Sequence, residues 1–261
     1  MSADEEARTE QDDWDRHWDD YADAATLNPA QQLRHRLILS LLALDDRPAR
    51  VIDVGCGQGD LMVRLHAAHP RAELCGLDVS HVGLEVARRK VPTAKFIRRD
   101  LLGNGEAPPQ LKRWATHAIC SEVLEHVDDP ARLLIAARAF LAPKCRVIVT
   151  VPGGPMSAFD RHIGHRQHFT LRSLGDLLRV TGFDVEKVTG VGFPFFNIYR
   201  LVVIRRGQRL VHDVARGDLK TTSTIARIVM RAFGLLFALR LPKSRWGWQI
   251  VGVARTPSTQ A

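Results

Sequence analysis

The sequence has few cysteines and no long apolar run, and its first residues do not have the pattern expected of a secretory signal. Its 261 residues include four cysteines, which lie far apart and form no Cys-x-x-Cys pair. We therefore expect neither a zinc site nor a disulfide framework, and a reducing compartment. The first residues are acidic, whereas a secretory signal begins with a basic region. No apolar run reaches the length that spans a bilayer, so the prediction is a cytoplasmic protein.

Positive and negative charges are unevenly distributed along the chain. Residues 1–24 contain ten acidic and two basic side chains, although the whole chain has a formal net charge of +8. From residue 197 to the end there are twelve basic and two acidic side chains. This excess predicts an anionic surface or partner for the C-terminal part. A hydrophobic content of 45% is ample for the core of one α/β domain with additional segments.

The most informative segment is an apolar strand that runs directly into a glycine-rich turn. Residues 51–54 are followed by Gly55, Gly57 and Gly59, and a helical pattern comes next. Glycines let a ligand approach the main chain closely, and the free N–H groups of the helix attract acceptor atoms. The dinucleotide-binding fingerprint needs a third glycine where this chain has Asp60. We therefore predict a nucleotide-like ligand without a pyrophosphate.

Polar residues follow each of the next predicted strands. The second strand ends at Asp78, the third leads to Asp100, and the fourth leads to Glu122, Glu125 and His126. Each aspartate alone is typical of an ordinary strand end or turn. Their placement after successive strands of a βαβαβ pattern indicates one shared crevice, because ligands bind beyond the carboxyl ends of such strands.

The order of these motifs over residues 50–152 resembles class I S-adenosylmethionine-dependent methyltransferases of the methyltransferase-11/12 type. Within that group, Asn-Pro before the first strand and Glu-x-x-Glu-His after the fourth are most similar to ubiquinone-biosynthesis O-methyltransferases. The resemblance implies an α/β fold, with a Rossmann-like seven-stranded mixed sheet and helices on both faces. It also implies a helical insertion before an antiparallel last strand. The chain departs from the ubiquinone enzymes at residues 160–170, which contain three histidines.

The resemblance implies S-adenosylmethionine as the cofactor. Asp53 suits its positive charge, Asp78 its ribose hydroxyls, and Asp100 and Leu101 its adenine. The predicted cofactor-binding residues are Asp53, Gly55, Gly57, Gly59, Asp78, Val79, Asp100, Leu101 and Glu122. The ubiquinone-family resemblance also assigns a divalent cation to Glu122, Glu125 and His126, although a helix cap and a pocket wall explain these residues as simply.

The candidate catalytic residues are His126, His165 and His168. Methyl transfer is an in-line displacement, so a base is needed only when the acceptor atom arrives protonated, as a hydroxyl does. Histidine titrates near neutral pH and can take that proton. The alternative is that these histidines pack the loop or bind its carbonyls.

We predict four segments along the chain. Residues 1–28 form an acidic tail and a helix that packs on the domain or covers the bound cofactor. Residues 29–192 form the methyltransferase core. Residues 193–242 form a basic, apolar helical insertion, and residues 243–261 form the last strand and tail. The insertion lies in a membrane interface, walls off a hydrophobic acceptor pocket or simply caps the sheet.

The predicted function is methyl transfer from S-adenosylmethionine to a small, hydrophobic acceptor, most simply at oxygen. The alternatives are a nucleic-acid methyltransferase that uses the basic C-terminal region and a non-catalytic scaffold with the cofactor fold. We expect no nucleic acid, because the chain has no Asn-Pro-Pro-Tyr motif and no RNA-binding module. We expect peripheral contact with an anionic membrane.

Overall fold

A computed structural model describes residues 14–15, 28–45, 48–103, 106–215, 232–237 and 245–258, with side chains in the helix that ends at residue 215 described up to residue 207. At its centre is a seven-stranded sheet with the order β3-β2-β1-β4-β5-β7-β6. The strands are β1 Arg50–Val54, β2 Glu73–Asp78, β3 Lys95–Arg98, β4 Ala115–Ser121, β5 Leu141–Pro152, β6 Asp184–Val191 and β7 Gln249–Arg255. β7 is antiparallel to both of its neighbours and the other pairs are parallel, which agrees with the antiparallel last strand that the family resemblance implies.

Helices follow most strands, and five of them begin after a polar residue whose side chain caps the helix. They are α1 Pro29–Leu42, α2 Asp60–Ala68, α3 His81–Lys90, α4 Pro130–Arg138, α5 Ala158–His162, α6 Leu171–Val180 and α7 Phe195–Ala215, with 3-10 turns at Pro109–Leu111 and Leu124–His126. The Asn28 side chain accepts a hydrogen bond from the N–H of Ala30, and Pro29 then opens α1. Proline fits this position because the first helical N–H has no intrahelical partner.

The core lies on both faces of the sheet. Ile52 and Val54 of β1 face the layer that includes Leu134 of α4, whereas Val51 faces the layer that includes Leu84 of α3. Successive side chains of a strand point to opposite faces, so a strand covered on both sides reads as a continuous apolar run. This explains why the central strands are visible in the sequence.

Two element boundaries differ from the prediction. The sequence pattern predicts a helix over residues 131–141 and a strand that begins at residue 145. The helix instead ends at Arg138, and β5 begins at Leu141. The N–H of Ala115 donates to the carbonyl of Phe140 at 2.9 Å, so pairing with β4 draws this segment into the sheet. The last strand begins at Gln249 rather than at residue 246. The Asn197 amide bonds Trp246 O and Trp248 N at 2.9 and 3.0 Å, which keeps them outside the sheet.

The insertion contains α7, which extends beyond the helix predicted for residues 193–206. Its side chains Ile198, Leu201 and Val202 are exposed on one face, while Phe196 is buried and packs against Phe237. The second predicted helix, residues 224–241, is described only at 232–237, where it is helical as far as residue 236. Among the helices in the described ranges, none has the length and hydropathy of a membrane span. Contact with an anionic membrane stays a prediction.

Candidate functional site

The glycine turn after β1 is fixed by main-chain hydrogen bonds to the end of β2. The N–H groups of Gly55 and Cys56 donate to the Leu77 carbonyl at 2.8 and 3.1 Å. Gly55 has a φ of +73°, and a Cβ at this position would meet Cγ2 of Val123 at 2.3 Å. Any other residue would be strained and would displace Val123. Because Gly55 has no side chain, the main chain of the turn stays accessible at the carboxyl ends of the strands.

A cavity of about 710 Å³ lies at this end of the sheet, within the range typical of small-molecule sites. The predicted cofactor residues that line it are Gly55, Asp78, Val79, Asp100, Leu101 and Glu122. Gly57 and Gly59 are buried and absent from this lining, as is Asp53, which is 3% exposed. Sequence reasoning did not anticipate Val123, Arg132 and Arg166, which also line the cavity, because their contribution depends on how the loops fold over the strands.

Asp78 joins the cavity to the glycine turn. Its Oδ2 accepts a hydrogen bond from the N–H of Gly57 at 2.7 Å, and its Oδ1 accepts one from the N–H of Ser80 at 2.9 Å. Burial raises the pKa of this carboxyl, although both hydrogen bonds oppose the shift. Each carboxylate oxygen can accept a second hydrogen bond, so Asp78 can hold the turn and still accept from two ligand hydroxyls.

Asp53 is a buried carboxyl in β1, the strand that precedes the glycine turn. Burial raises its pKa to about 8, and the nearby Asp78 adds to the shift. Two carboxyls that share a buried site repel each other when both are ionised. A cationic ligand in the cavity would relieve this repulsion, which fits a cofactor with a sulfonium and an ammonium group.

We predict that the folded, ligand-free protein loses stability relative to Asp53→Asn as the pH rises from 5 to 9. The pKa of Asp53 is raised in the folded state, so between its ordinary value and about 8 the folded protein binds more protons than the unfolded chain. Stability must therefore fall with pH, by at most about 1.4 kcal/mol per pH unit from this residue. Thermal melts of both proteins across this range measure the difference. The exposed Asp184→Asn is the control, and parallel profiles of wild type and Asp53→Asn would contradict the prediction.

The N-terminal residues that the structure describes lie over the cavity. Trp14 lines it and stands edge-on to the His126 ring, with 4.8 Å between the ring centroids. Asp15 accepts hydrogen bonds from Ser80 Oγ at 2.6 Å and from the N–H of Val82 at 3.2 Å, at the start of α3. This arrangement favours the lid interpretation of the predicted N-terminal helix. The sequence places three further aromatic residues at helical spacing in this segment, His17, Trp18 and Tyr21, and these lie outside the described residues.

The loop after β5 is fastened to the turn after β4. The N–H of Arg166 donates to the Glu125 carbonyl at 2.8 Å, and the Gln167 amide donates to the Val127 carbonyl at 3.1 Å. The His126 and His165 rings are consequently 4.7 Å apart between centroids. The structure thus brings together the three histidines that the sequence nominates, since Nδ1 of His165 is 3.1 Å from Nε2 of His168.

The hydrogen bonds of the loop fix the tautomer of His165. Nδ1 of His168 lies 3.0 Å from the Gly154 carbonyl, which can only accept, so this nitrogen carries the proton. Burial lowers the pKa of His168 and lowers that of His165 to about 2, which favours the neutral form of both rings. In that form Nε2 of His168 accepts a hydrogen bond from Nδ1 of His165. It follows that Nε2 of His165 has a lone pair and can accept a proton or bind a cation.

The two glutamates of the predicted metal trio face different surroundings. Glu122 has a φ of 56°, a conformation that is uncommon outside glycine and concentrated at functional sites. Its Oε1 accepts from Thr150 Oγ1 at 3.1 Å and from the Gln249 amide at 2.9 Å, and Oε2 is 3.5 Å from Arg34 Nη1. Glu125 is fully buried, and one of its carboxylate oxygens lies within 4.8 Å of one ring nitrogen of His126 and one of His165.

A buried ion pair connects the histidine loop to the insertion. Arg200 of α7 donates from Nη1 and Nη2 to the two carboxylate oxygens of Asp160 at 2.9 and 2.7 Å. Ser157 also donates to Asp160 through its N–H and its hydroxyl. These bonds hold the pKa of Asp160 at about 2, although burial opposes the shift. No local pattern in the sequence pairs two residues that are 40 positions apart.

Comparisons with known proteins agree with this architecture. The family model described as "Methyltransferase domain" matches residues 25–188. A trans-aconitate 2-methyltransferase of Methylobacterium nodulans is 35% identical over 142 residues, which cover 54% of this chain and 50% of that protein. The chain therefore spans about half the length of this relative.

A second relative is covered more completely. It is a ubiquinone biosynthesis O-methyltransferase of Marinobacter nauticus, 28% identical over 211 residues that cover 71% of this chain and 84% of that protein. The structure of phosphoethanolamine N-methyltransferase 2 of Haemonchus contortus in complex with S-adenosyl-L-methionine is similar in fold. Its TM-score is 0.56 at 17% identity, and the match covers 86% of this chain and 52% of that one.

Proposed function

Because this chain belongs to the methyltransferase-domain family of S-adenosylmethionine-dependent enzymes, we propose that it methylates a hydroxyl oxygen of a small, hydrophobic acceptor. The observation that carries this proposal is the accepting Nε2 of His165 beside His126, whose ring lines the cofactor cavity. A hydroxyl acceptor must lose its proton during methyl transfer, and an imidazole lone pair can take it. Because burial lowers the pKa of His165 to about 2, the ring is a weak base in the ligand-free protein, and its lone pair suits the binding of a cation better. The ubiquinone biosynthesis relative is itself an O-methyltransferase by name.

The cofactor supplies an electrophilic methyl group on a sulfonium. In the proposed reaction a bond forms between the acceptor oxygen and this carbon, the carbon–sulfur bond breaks, and its electron pair stays on sulfur. The hydroxyl proton leaves towards the histidine cluster. The chain's own contribution is to bind the cofactor through Asp78 and the glycine turn and to hold the two reactants in line.

The histidine cluster can activate a hydroxyl in two ways. Nε2 of His165 can take the proton itself, or it can hold a cation that lowers the pKa of the hydroxyl. Both ways require the same lone pair and the same support from His168. His168 acts through His165, because its own nitrogens lie against Gly154 O and His165 Nδ1.

A hydrophobic acceptor fits the character of the segment next to the loop. Arg200 attaches α7 to the loop through Asp160, and α7 carries Phe196 and Tyr199 beside Phe237. Apolar and aromatic side chains supply most of the surface of small-molecule sites. A nucleic-acid acceptor is the weaker proposal, because the exposed arginines of α7 accompany exposed aliphatic side chains rather than an aromatic stacking platform.

The test is formation of S-adenosylhomocysteine with matched sets of small aromatic acceptors. Each set contains a phenol, the corresponding aniline and the corresponding methyl ether, which has no transferable proton. We expect turnover above the acceptor-free rate with phenols only. Turnover with anilines but not with phenols would contradict oxygen as the acceptor atom, and turnover only with RNA or DNA would overturn the small-molecule proposal.

A further inference from the structure

We propose that Glu125, His126 and His165 bind one divalent transition-metal cation between the turn after β4 and the loop after β5. One ligand atom from each of these side chains lies within 4.8 Å of the others. This ligand set differs from the trio implied by the family resemblance, since it contains His165 in place of Glu122. It draws on the loop where the sequence departs from the ubiquinone enzymes.

Glu125 provides an observation that does not depend on this clustering. The residue is 0% exposed, and neither carboxylate oxygen has a hydrogen-bond partner outside the main chain of Glu125 itself in the part of the chain that the structure describes. A buried carboxyl without hydrogen bonds is costly, and such groups in folded proteins are normally paired or coordinate a metal. A cation beside both imidazoles would satisfy these oxygens.

His165 has the orienting hydrogen bond that metal-ligating histidines usually have. A ligating histidine donates its other ring N–H to a neighbouring acceptor, which fixes the tautomer and the orientation of the ring. His165 does this through Nδ1, which donates to Nε2 of His168 at 3.1 Å, and His168 in turn donates to the Gly154 carbonyl at 3.0 Å. This chain of ring nitrogens orients the His165 imidazole towards the turn that carries Glu125 and His126.

The neighbouring acidic groups are already committed to other partners. Asp160 also lies near His165 and His168, but Arg200 and Ser157 donate to its two oxygens. Glu122 accepts from Thr150 and Gln249 and is near Arg34. A cation at either carboxylate would have to displace these donors or approach an arginine. Glu125 is the carboxylate in this region with the capacity to bind one.

The donor set indicates the class of metal. Two imidazoles and one carboxylate suit zinc, cobalt, manganese or iron, whereas magnesium and calcium prefer oxygen ligands. Three protein ligands leave room for a further ligand from solvent or acceptor. The binding of the cation does not depend on the acceptor. Its chemical role rests on the proposed function, in which it would lower the pKa of an acceptor hydroxyl.

The experiment uses the full chain, freed of metal with chelator and titrated with Co²⁺ and Zn²⁺ in the absence of cofactor and acceptor. We expect one equivalent of Co²⁺ to produce the visible absorption bands of a site with a low coordination number. Calorimetry should give the same stoichiometry for Zn²⁺. Glu125→Gln and His165→Ala should each weaken binding more than about 100-fold, because loss of a ligand exceeds the 10–100-fold effect of its supporting residues. Circular dichroism and thermal melts check that both variants fold.

Two matched controls separate this ligand set from the others. His162→Ala removes an exposed histidine from the same loop, and Glu122→Gln removes the glutamate of the family-implied trio. Both should retain wild-type affinity. Absence of saturable binding in the wild type, or equal affinity in Glu125→Gln, would overturn the proposal, and loss of binding in Glu122→Gln would favour the other trio. A chelated enzyme that still methylates phenols would remove the chemical role of the cation but leave the proposed function intact.

Discussion

Asp78→Ala is expected to weaken binding of S-adenosylmethionine by roughly 10²- to 10⁴-fold, because two hydrogen bonds from ribose hydroxyls to a charged acceptor contribute about 1.5–3 kcal/mol each. The carboxylate lies in the cavity and already accepts from the N–H groups of Gly57 and Ser80. Its removal therefore also loosens the glycine turn that forms one wall of the cavity. Calorimetric titration with S-adenosylmethionine and with its demethylated product measures the loss.

A second variant separates the two roles of Asp78. Asp78→Asn keeps one accepting oxygen but has no negative charge, so its affinity should fall between those of wild type and Asp78→Ala. The matched control is Asp184→Ala, which removes an exposed aspartate at the start of β6. If Asp78→Ala binds the cofactor as tightly as the wild type, the assignment of Asp78 to the ribose is wrong. Thermal melts must show that each variant is folded.

For His165→Ala we expect kcat to fall by about 10²- to 10⁴-fold with the true acceptor, while the Kd of the cofactor stays within a few-fold of the wild-type value. The reason is that the variant loses the accepting nitrogen whose lone pair either takes the hydroxyl proton or holds the cation. His165 is absent from the cavity lining, so the cofactor loses no direct contact. Steady-state rates of S-adenosylhomocysteine formation and a cofactor titration on the same preparation measure the two quantities.

The control for this variant is again His162→Ala. His162 ends α5 only three residues before His165, but its side chain is exposed. We expect full activity in His162→Ala. Wild-type kcat in His165→Ala would mean that the acceptor ionises without this histidine, and equal losses in both variants would indicate that the loop, rather than the imidazole, is responsible.

The fold and the cofactor site could be predicted because their signals are local. The apolar strands, the glycine turn and the carboxylate after β2 each occupy a few consecutive residues, and the rules for parallel sheets then bring them to one edge. The family match confirms the predicted resemblance and cofactor, and the sheet confirms the predicted fold class. The roles of individual site residues stay predictions.

The boundaries of some elements could not be predicted because they depend on distant partners. β5 begins early since its first residue pairs with Ala115 of β4, and β7 begins late since Asn197 holds the preceding residues. Sequence periodicity contains no information about either contact. The second helix of the insertion and most of the N-terminal helix fall outside the described residues, so their predicted extents stand as predictions.

The sequence by itself determined where the central strands lie along the chain, the ligand class that the glycine turn favours and the three candidate catalytic histidines. Tertiary structure alone decided which partners these residues have. Glu122 accepts a hydrogen bond from Gln249, which is 127 positions away, and Asp160 accepts one from Arg200, which is 40 positions away. Glu125 lies close to His165 because main-chain hydrogen bonds fasten the loop after β5 to the turn after β4. The physical reason is that hydrogen bonding and burial, which set the charge and tautomer of a side chain, arise from neighbours in space. Neighbours in the chain determine only the local backbone pattern.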